Sequence, residues 1–284
     1  MQQTFRDRVK IEVADSIAQV RLARPDKRNA LDGAMFAGLA EAGEWVKTAP
    51  RVRAVVLSGE GPSFCAGLDF ATFQAFADRS GGDRAGAGAS EVPETDGNPG
   101  RLTASGLTHL GQQVAWVWQE VPVPVIAAVH GHALGGGLQV ALGADMRIVH
   151  PDTKLSVREV HWGLTPDMTA TLFLSRLVRP DVLKELTFTA RLISGAEAHR
   201  LGIATHLADD PPAAATALAA EIAGRSPDAV RGAKALLNRL ANAGAAEQFA
   251  GERDTIGALV GSANQVEAVM AEFEQREPRF VDPG

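Results

Sequence analysis

Twice along this chain a short apolar run breaks into a glycine-bearing turn and then heads toward a helix. Val52 to Ser58 reads as a buried strand that stops at Gly59-Glu60-Gly61-Pro62 and leads into Ser63-Phe64-Cys65-Ala66-Gly67-Leu68-Asp69. Val123 to Val129 does the same, running into His130-Gly131-His132-Ala133-Leu134-Gly135-Gly136-Gly137. Glycine lets the backbone take positive φ and come close to a ligand. A helix that starts at such a turn leaves its first N–H groups pointing outward at the positive end of the dipole. Two such donors from separate loops make an oxyanion hole. The same spacing also suits two tight turns that simply pack together.

The rest of the chain sets these turns in an α/β frame. Ile11-Glu12-Val13 and Ile17 to Leu22 alternate around the polar Asp15-Ser16, and strand-like sequence begins near Val9. After the polar turn Arg24 to Asn29, Asp32 is placed to cap a helix with Phe36, Leu39 and Ala40 on one face. Residues Arg79 to Arg101, rich in Gly, Ala and polar side chains, read as an insertion within a domain. Leu107 to Trp118 reads as an amphipathic helix and Met146 to Val149 as another buried strand. From Asp181 onward the pattern is helical. Ser194-Gly195-Ala196-Glu197 has capping-box spacing, with Gly202 as the stop. Ser226-Pro227 opens a helix with the stripe Val230, Ala233, Leu237 and Leu240. Strand–helix alternation followed by helices indicates an α/β protein with a helical C-terminal part.

Composition narrows the function. A net charge of −6 argues against a general nucleic-acid binder. The single cysteine, Cys65, excludes a disulfide scaffold and a CxxC zinc site. No apolar run reaches the roughly 18 residues of a membrane span, and there is no signal-peptide h-region, so a cytoplasmic protein is expected. Tyrosine is absent, which leaves carboxylates, His, Lys and Cys65 as acids or bases. A dinucleotide site is not supported, because Phe64 stands where the third glycine belongs. Gly131 to Gly137 lacks the Lys-Ser/Thr of a phosphate loop. His130 and His132 read as packing histidines and Cys65 as a small residue filling a tight loop; no metal site is expected.

In order, several segments resemble the crotonase superfamily, the enoyl-CoA hydratase/isomerase family. They are Arg24-Pro25-Asp26-Lys27-Arg28-Asn29-Ala30-Leu31, Phe64 to Asp69, Ala127 to Gly137, Ala144-Asp145-Met146-Arg147, and Arg158-Glu159-Val160-His161-Trp162-Gly163-Leu164-Thr165-Pro166-Asp167. The resemblance implies a crotonase-like spiral core of ββα turns with a helical C-terminal trimerisation region. Residues 1–190 would form the acyl-CoA-binding core, carrying the 79–101 insertion, and residues 191–284 the helical region. It implies an acyl-CoA thioester substrate, no further cofactor, no nucleic-acid or membrane partner, and a homotrimer or dimer of trimers. The oxyanion donors would be the backbone N–H groups of Leu68 and Gly136. Contacts to coenzyme A would fall on Lys27, Arg28, Ala66 and Leu68.

The carboxylates choose the reaction. Family hydratases carry glutamates at two positions, which here are Gln139 and Glu159. An amide neither gives nor takes a proton at neutral pH, so Gln139 is expected to line the site and hold water or substrate by hydrogen bonds. Asp167, eight residues after Glu159, gives a spacing that resembles the dienoyl-CoA isomerase branch. A second reading of Asp167 puts it near a helix start, where an acid merely complements the dipole. Glu159 also has a bland reading, as a surface acid near Arg158 and Lys154. His161, Asp69, Asp145 and Trp162 are expected to serve structure. The expectation is an enoyl- or dienoyl-CoA double-bond isomerase using Glu159 with Asp167. The alternatives are a 2-enoyl-CoA hydratase using Glu159 with Gln139 positioning water, and a non-catalytic acyl-CoA-binding protein.

Overall fold

The computed structural model describes residues 1–71, 97–225, 227–241 and 245–276. The hairpin forms as expected: β2 (Val9–Ala14) and β3 (Ile17–Leu22) pair antiparallel. Asp15 and Ser16 turn it at φ 49° and 65°, the left-handed pair that a two-residue hairpin demands. A further strand, β1 (Gln2–Phe5), pairs with β2. Sequence reading missed it because it is an exposed edge strand without an apolar alternation.

The chain then alternates between two sheets. α1 (Gly33–Thr48) starts where Asp32 accepts the Met35 amide at 2.8 Å. β4 (Ala54–Gly59) and β5 (Val125–Val129) join the large sheet and β6 (His132–Leu134) the small one. β7 (Met146–Val149) returns to the large sheet, and β8 (Lys154–Ser156) and β9 (Ile193–Ser194) to the small one. β10 (His206–Leu207) closes the large sheet, whose order is β1-β2-β3-β4-β5-β7-β10. From β3 to β10 the neighbours in that sheet run parallel. Parallel bridges Leu31–Leu68 and Cys65–Ala133 extend the small sheet toward the first glycine turn. This is a spiral in which successive turns of the chain each lay strand-like backbone on both sheets.

Burial follows the pleat. Val55, Leu57, Val125, Ala127 and Val129 face the main core, packed with α1 and α2 (Leu110–Glu120). Their neighbours Ala54, Val56, Ile126 and Ala128 face the opposite side. There α3 (Gly136–Leu142), α4 (Ala170–Leu174), α5 (Pro180–Thr189) and α6 (Gly195–Arg200) take no part. The cover is α7 (Pro211–Ala223), through Ala215 and Ala219. Three more helices follow: α8 (Pro227–Ala241), α9 (Ala245–Leu259) and α10 (Ala263–Phe273).

Several expectations need correction. The helix expected from Leu107 begins at Leu110, because His109 and Gln112 form a reciprocal cap. It is buried almost all round rather than on one face. Beyond residue 190, in the stretch expected to be helical, the short strands β9 and β10 join the two sheets. At Ser194 only half the capping box forms: its hydroxyl accepts the Glu197 amide, while the Glu197 carboxylate turns to Arg191. Of the α8 stripe, Val230 is half-buried while Ala233 and Leu237 are exposed. Lys234 is buried in their stead, bonded to Asp145 at 2.7 Å. The Leu240 side chain, Ser226 and most of the 79–101 insertion lie outside the described residues.

Candidate active site

The two glycine turns and the segment after β8 meet around one cavity of about 530 Å³, a size ordinary for small-molecule sites. One end carries the exposed Asp26, Lys27 and Arg28. The other reaches buried Leu31, Gly136, Glu159 and Met168. Asn29, fully buried, pins the basic loop: its amide donates to Glu60 O at 2.9 Å and to Ser63 O at 2.8 Å. It accepts the Arg24 amide at 2.8 Å.

The first turn places Ala66, Gly67, Leu68 and Asp69 on the cavity wall. Gly67 sits at φ 94°, and a Cβ there would come within 2.6 Å of Leu134 O. Leu31 bonds to Gly67 O and to the Asp69 amide, so the pleat turns the Leu68 N–H away from Leu31. Burial tends to raise Asp69, but the Ala71 amide and the Arg24 guanidinium outweigh it and hold it below the usual carboxylate range. Cys65 is fully buried, bonds to Asn29 O, and burial pushes its thiol up to about 12. A thiol held protonated in this way is a poor nucleophile.

The second turn places Gly135 and Gly136 on the same wall. Gly136 opens α3, so its N–H has no acceptor within that helix. The histidines on this turn are structural: His132 bonds to Ser63 Oγ and His130 to Gly61 O, each at 2.9 Å. Among the described residues, no group of three or more His, Cys, Asp or Glu is placed to hold a metal ion.

Glu159 opens a 3-10 turn, Glu159–Trp162, and is 9% exposed. Its Oε1 accepts the Gln139 side-chain amide at 2.6 Å. Its chain neighbour Arg158 donates to Ala190 O at 3.0 Å. Gln139 itself is 1% exposed and lies off the cavity wall. Its expected place beside the substrate is therefore corrected: the amide looks inward, and its Oε1 accepts the backbone N–H groups of Met168 and Ala170, each at 2.9 Å. Asp167 lines the cavity. It stands in an irregular segment three residues before α4, not at a helix start, so the dipole reading does not apply.

Because 159–162 is a turn and not a strand, His161 does not share the Glu159 face; its Nε2 lies 2.9 Å from Glu272 Oε2. Trp162 lines the cavity while packing edge-on against Phe70 at 5.7 Å. Asp145 is structural as expected, accepting the Val125 amide and pairing with Lys234. Sequence reasoning missed the wall contributed by Ile256 of α9, Val260 just past its end, and Glu272 of α10. Nothing in those helices marks the residues, since an apolar stripe looks the same over a core as over a ligand. Gly111, in the first turn of α2, also lines the cavity.

Comparison with known proteins agrees with this geometry. The profile of the enoyl-CoA hydratase/isomerase family matches residues 17–282. The chain is 33% identical over 225 residues to the mitochondrial Delta(3,5)-Delta(2,4)-dienoyl-CoA isomerase of Mus musculus, a match covering 77% of the chain and 64% of that relative. The chain thus spans just under two thirds of that relative's length. It is 29% identical over 274 residues to crotonyl-CoA hydratase of Syntrophomonas wolfei, covering 95% of the chain and 96% of the relative. The crystal structure of an enoyl-CoA hydratase/isomerase from Pseudoalteromonas atlantica superposes with a TM-score of 0.80 at 24% identity, covering 96% of this chain and all (100%) of that one. It shares the fold.

Proposed function

The chain belongs to the enoyl-CoA hydratase/isomerase family, and we propose that within it this protein is an acyl-CoA double-bond isomerase acting on a dienoyl thioester. The observation that carries this reading is that Glu159 and Asp167 line the same cavity as Leu68 and Gly136. In it, the Leu68 and Gly136 N–H groups receive the thioester oxygen. One such donor is typically worth about 3 kcal/mol as negative charge develops there. One carboxylate removes the proton from the carbon next to the thioester. The electron pair spreads through the diene onto the thioester oxygen. The other carboxyl group delivers a proton to the far end of the diene, and the double bonds emerge conjugated with the thioester. Exchange with solvent then restores both carboxyl groups.

Lys27 and Arg28 at the exposed end supply positive charge for the phosphates of coenzyme A, and Ala66 and Leu68 backbone for its pantetheine arm. No cofactor beyond that coenzyme is part of the proposal. Gln139, turned inward, is not placed to hold a water against the substrate, which weighs against hydration in that form. We also propose a homotrimer or dimer of trimers, which the exposed Leu236 and Leu237 of α8 support.

The test is an ultraviolet assay of the purified protein on 3,5-dienoyl-CoA and 2-enoyl-CoA in parallel. Conjugated-diene absorbance is expected to rise with the first substrate while the second is left largely intact. Loss of the 2-enoyl signal alone would instead establish a hydratase. Silence on both, with coenzyme A thioesters still bound, would establish a binding protein.

A further inference from the structure

The proposed reaction needs two carboxyl groups in different states, one ionised to take a proton and one protonated to give it. Nothing in the identities Glu159 and Asp167 says which is which. The Gln139 amide does. Its oxygen is committed, because the Met168 and Ala170 N–H groups can only donate and both lie 2.9 Å from Oε1. The amide therefore cannot flip without turning its NH2 toward two other donors. With the oxygen fixed, its NH2 must face Glu159, 2.6 Å from Oε1. An N–H donor aimed at a carboxyl oxygen favours the ionised form. Resting on the isomerase reading, we infer that Gln139 is a positioning residue that fixes Glu159 as the proton-accepting carboxylate and ties to it the segment that carries Asp167.

The second half of this role is mechanical. Met168 to Ala170 is a bend whose centre, Thr169, stands at φ 85°, a conformation costly for a residue with a side chain. Gln139 Oε1 holds the amides on both sides of that bend. Asp167 immediately precedes it, so one side chain sets the spacing of the two acids. Met168 is seated in turn against Gly136, where a Cβ would meet its Sδ at 2.9 Å. Among the described residues, other charged groups share the cavity with Glu159. Arg158 adjoins it in the chain, while Asp167, Asp69 and Glu272 share the cavity wall. Asp26, Lys27 and Arg28 stand at the exposed end.

Two variants separate this role from mere packing. Gln139→Leu keeps the volume and removes both the donor and the acceptor. Gln139→Glu keeps acceptor oxygens for the two backbone amides but needs a proton to face Glu159. The first readout is binding-independent: titration of the Glu159 carboxyl by carbon-13 NMR of side-chain-labelled protein, assigned with Glu159→Gln. In Gln139→Leu its midpoint is expected to move to higher pH by about one unit or more. In Gln139→Glu the two carboxyls are expected to share one proton and release it in a separate, more alkaline step. The second readout is kinetic. Gln139→Leu is expected to lower kcat roughly 10–100-fold, through misplacement of the acids, with KM within about twofold. Gln139→Glu is expected to keep acid-side turnover and to lose it on the alkaline side as the shared proton leaves, in step with the separate titration.

An unmoved Glu159 titration in Gln139→Leu overturns the inference, whatever the kinetics. A moved titration in a protein that turns over no dienoyl thioester sinks the isomerase reading and leaves the Gln139 assignment standing. Should Gln139→Leu fail to fold, the shared proton in Gln139→Glu decides: its absence overturns the assignment.

Discussion

Glu159 meets its cavity from a four-residue turn, braced from behind by an amide. That brace makes Glu159→Gln a clean probe, because the new side-chain oxygen still accepts the Gln139 donor. The variant is expected to fold and bind thioester as before while losing turnover by about 10²–10⁴-fold, the usual worth of a positioned base. Steady-state rates beside a melting curve check both halves; turnover within threefold of wild type would remove Glu159 from the chemistry. The residue itself was legible in the sequence, since it lies in a compact motif. Its partner was misjudged. The sequence shows that Gln139 is not an acid, but the direction its amide faces depends on backbone amides 29 and 31 residues away. No local pattern encodes that, and the natural reading of a polar residue one turn from a glycine-rich helix start is that it faces a ligand.

Among the elements, α2 shows how a helix end can store a pH dependence. His109 caps it with Nδ1, is 3% exposed, and is packed near Arg253. Burial, reinforced by that guanidinium, pushes it down to about 4. In the unfolded chain it titrates near 6.5. Between those values the unfolded state holds the extra proton, so stability falls as pH drops from about 6.5 toward 4 and is unaffected above. The full effect is on the order of 3 kcal/mol. Denaturant melts at pH 5 and 7.5 should show His109→Asn, which keeps a capping oxygen, losing much less stability across that range than wild type. Equal losses in the two proteins would place the acid sensitivity elsewhere. The sequence marked this helix by its apolar run but could not place its start, because the usual capping residues are replaced by a histidine and a glutamine acting together. The strands between glycine turns were readable for the opposite reason. Their apolar runs are buried on both faces, which no solvated helix imitates.

For the molecule as a whole, the spiral was foreseen from local motifs in order, while the short strands β9 and β10, in the stretch read as helical, were not. Two-residue strands carry too little pattern to read. The helices beyond them leave the adjacent Leu236 and Leu237 71% and 67% exposed on α8, where a second copy of the chain would cover them in the proposed assembly. Sedimentation equilibrium is expected to give three or six chains per particle, and Leu236→Asp with Leu237→Asp to shift it toward monomer. A wild-type monomer would refute the proposed assembly. Gln112 and Arg253 show that the later helices are also bolted to the core: the Gln112 amide donates to Phe249 O at 3.0 Å, and Arg253 reaches Gln112 at 3.2 Å.

That attachment sets the order in which the site comes into being during synthesis. The glycine turns, Glu159 and Asp167 leave the ribosome long before Ile256, Val260 and Glu272, which finish the cavity wall. A nascent chain can bring its glycine turns and both acids together while that part of the wall is still unmade. The wall seen among the described residues is thus complete only in chains whose translation has passed residue 272.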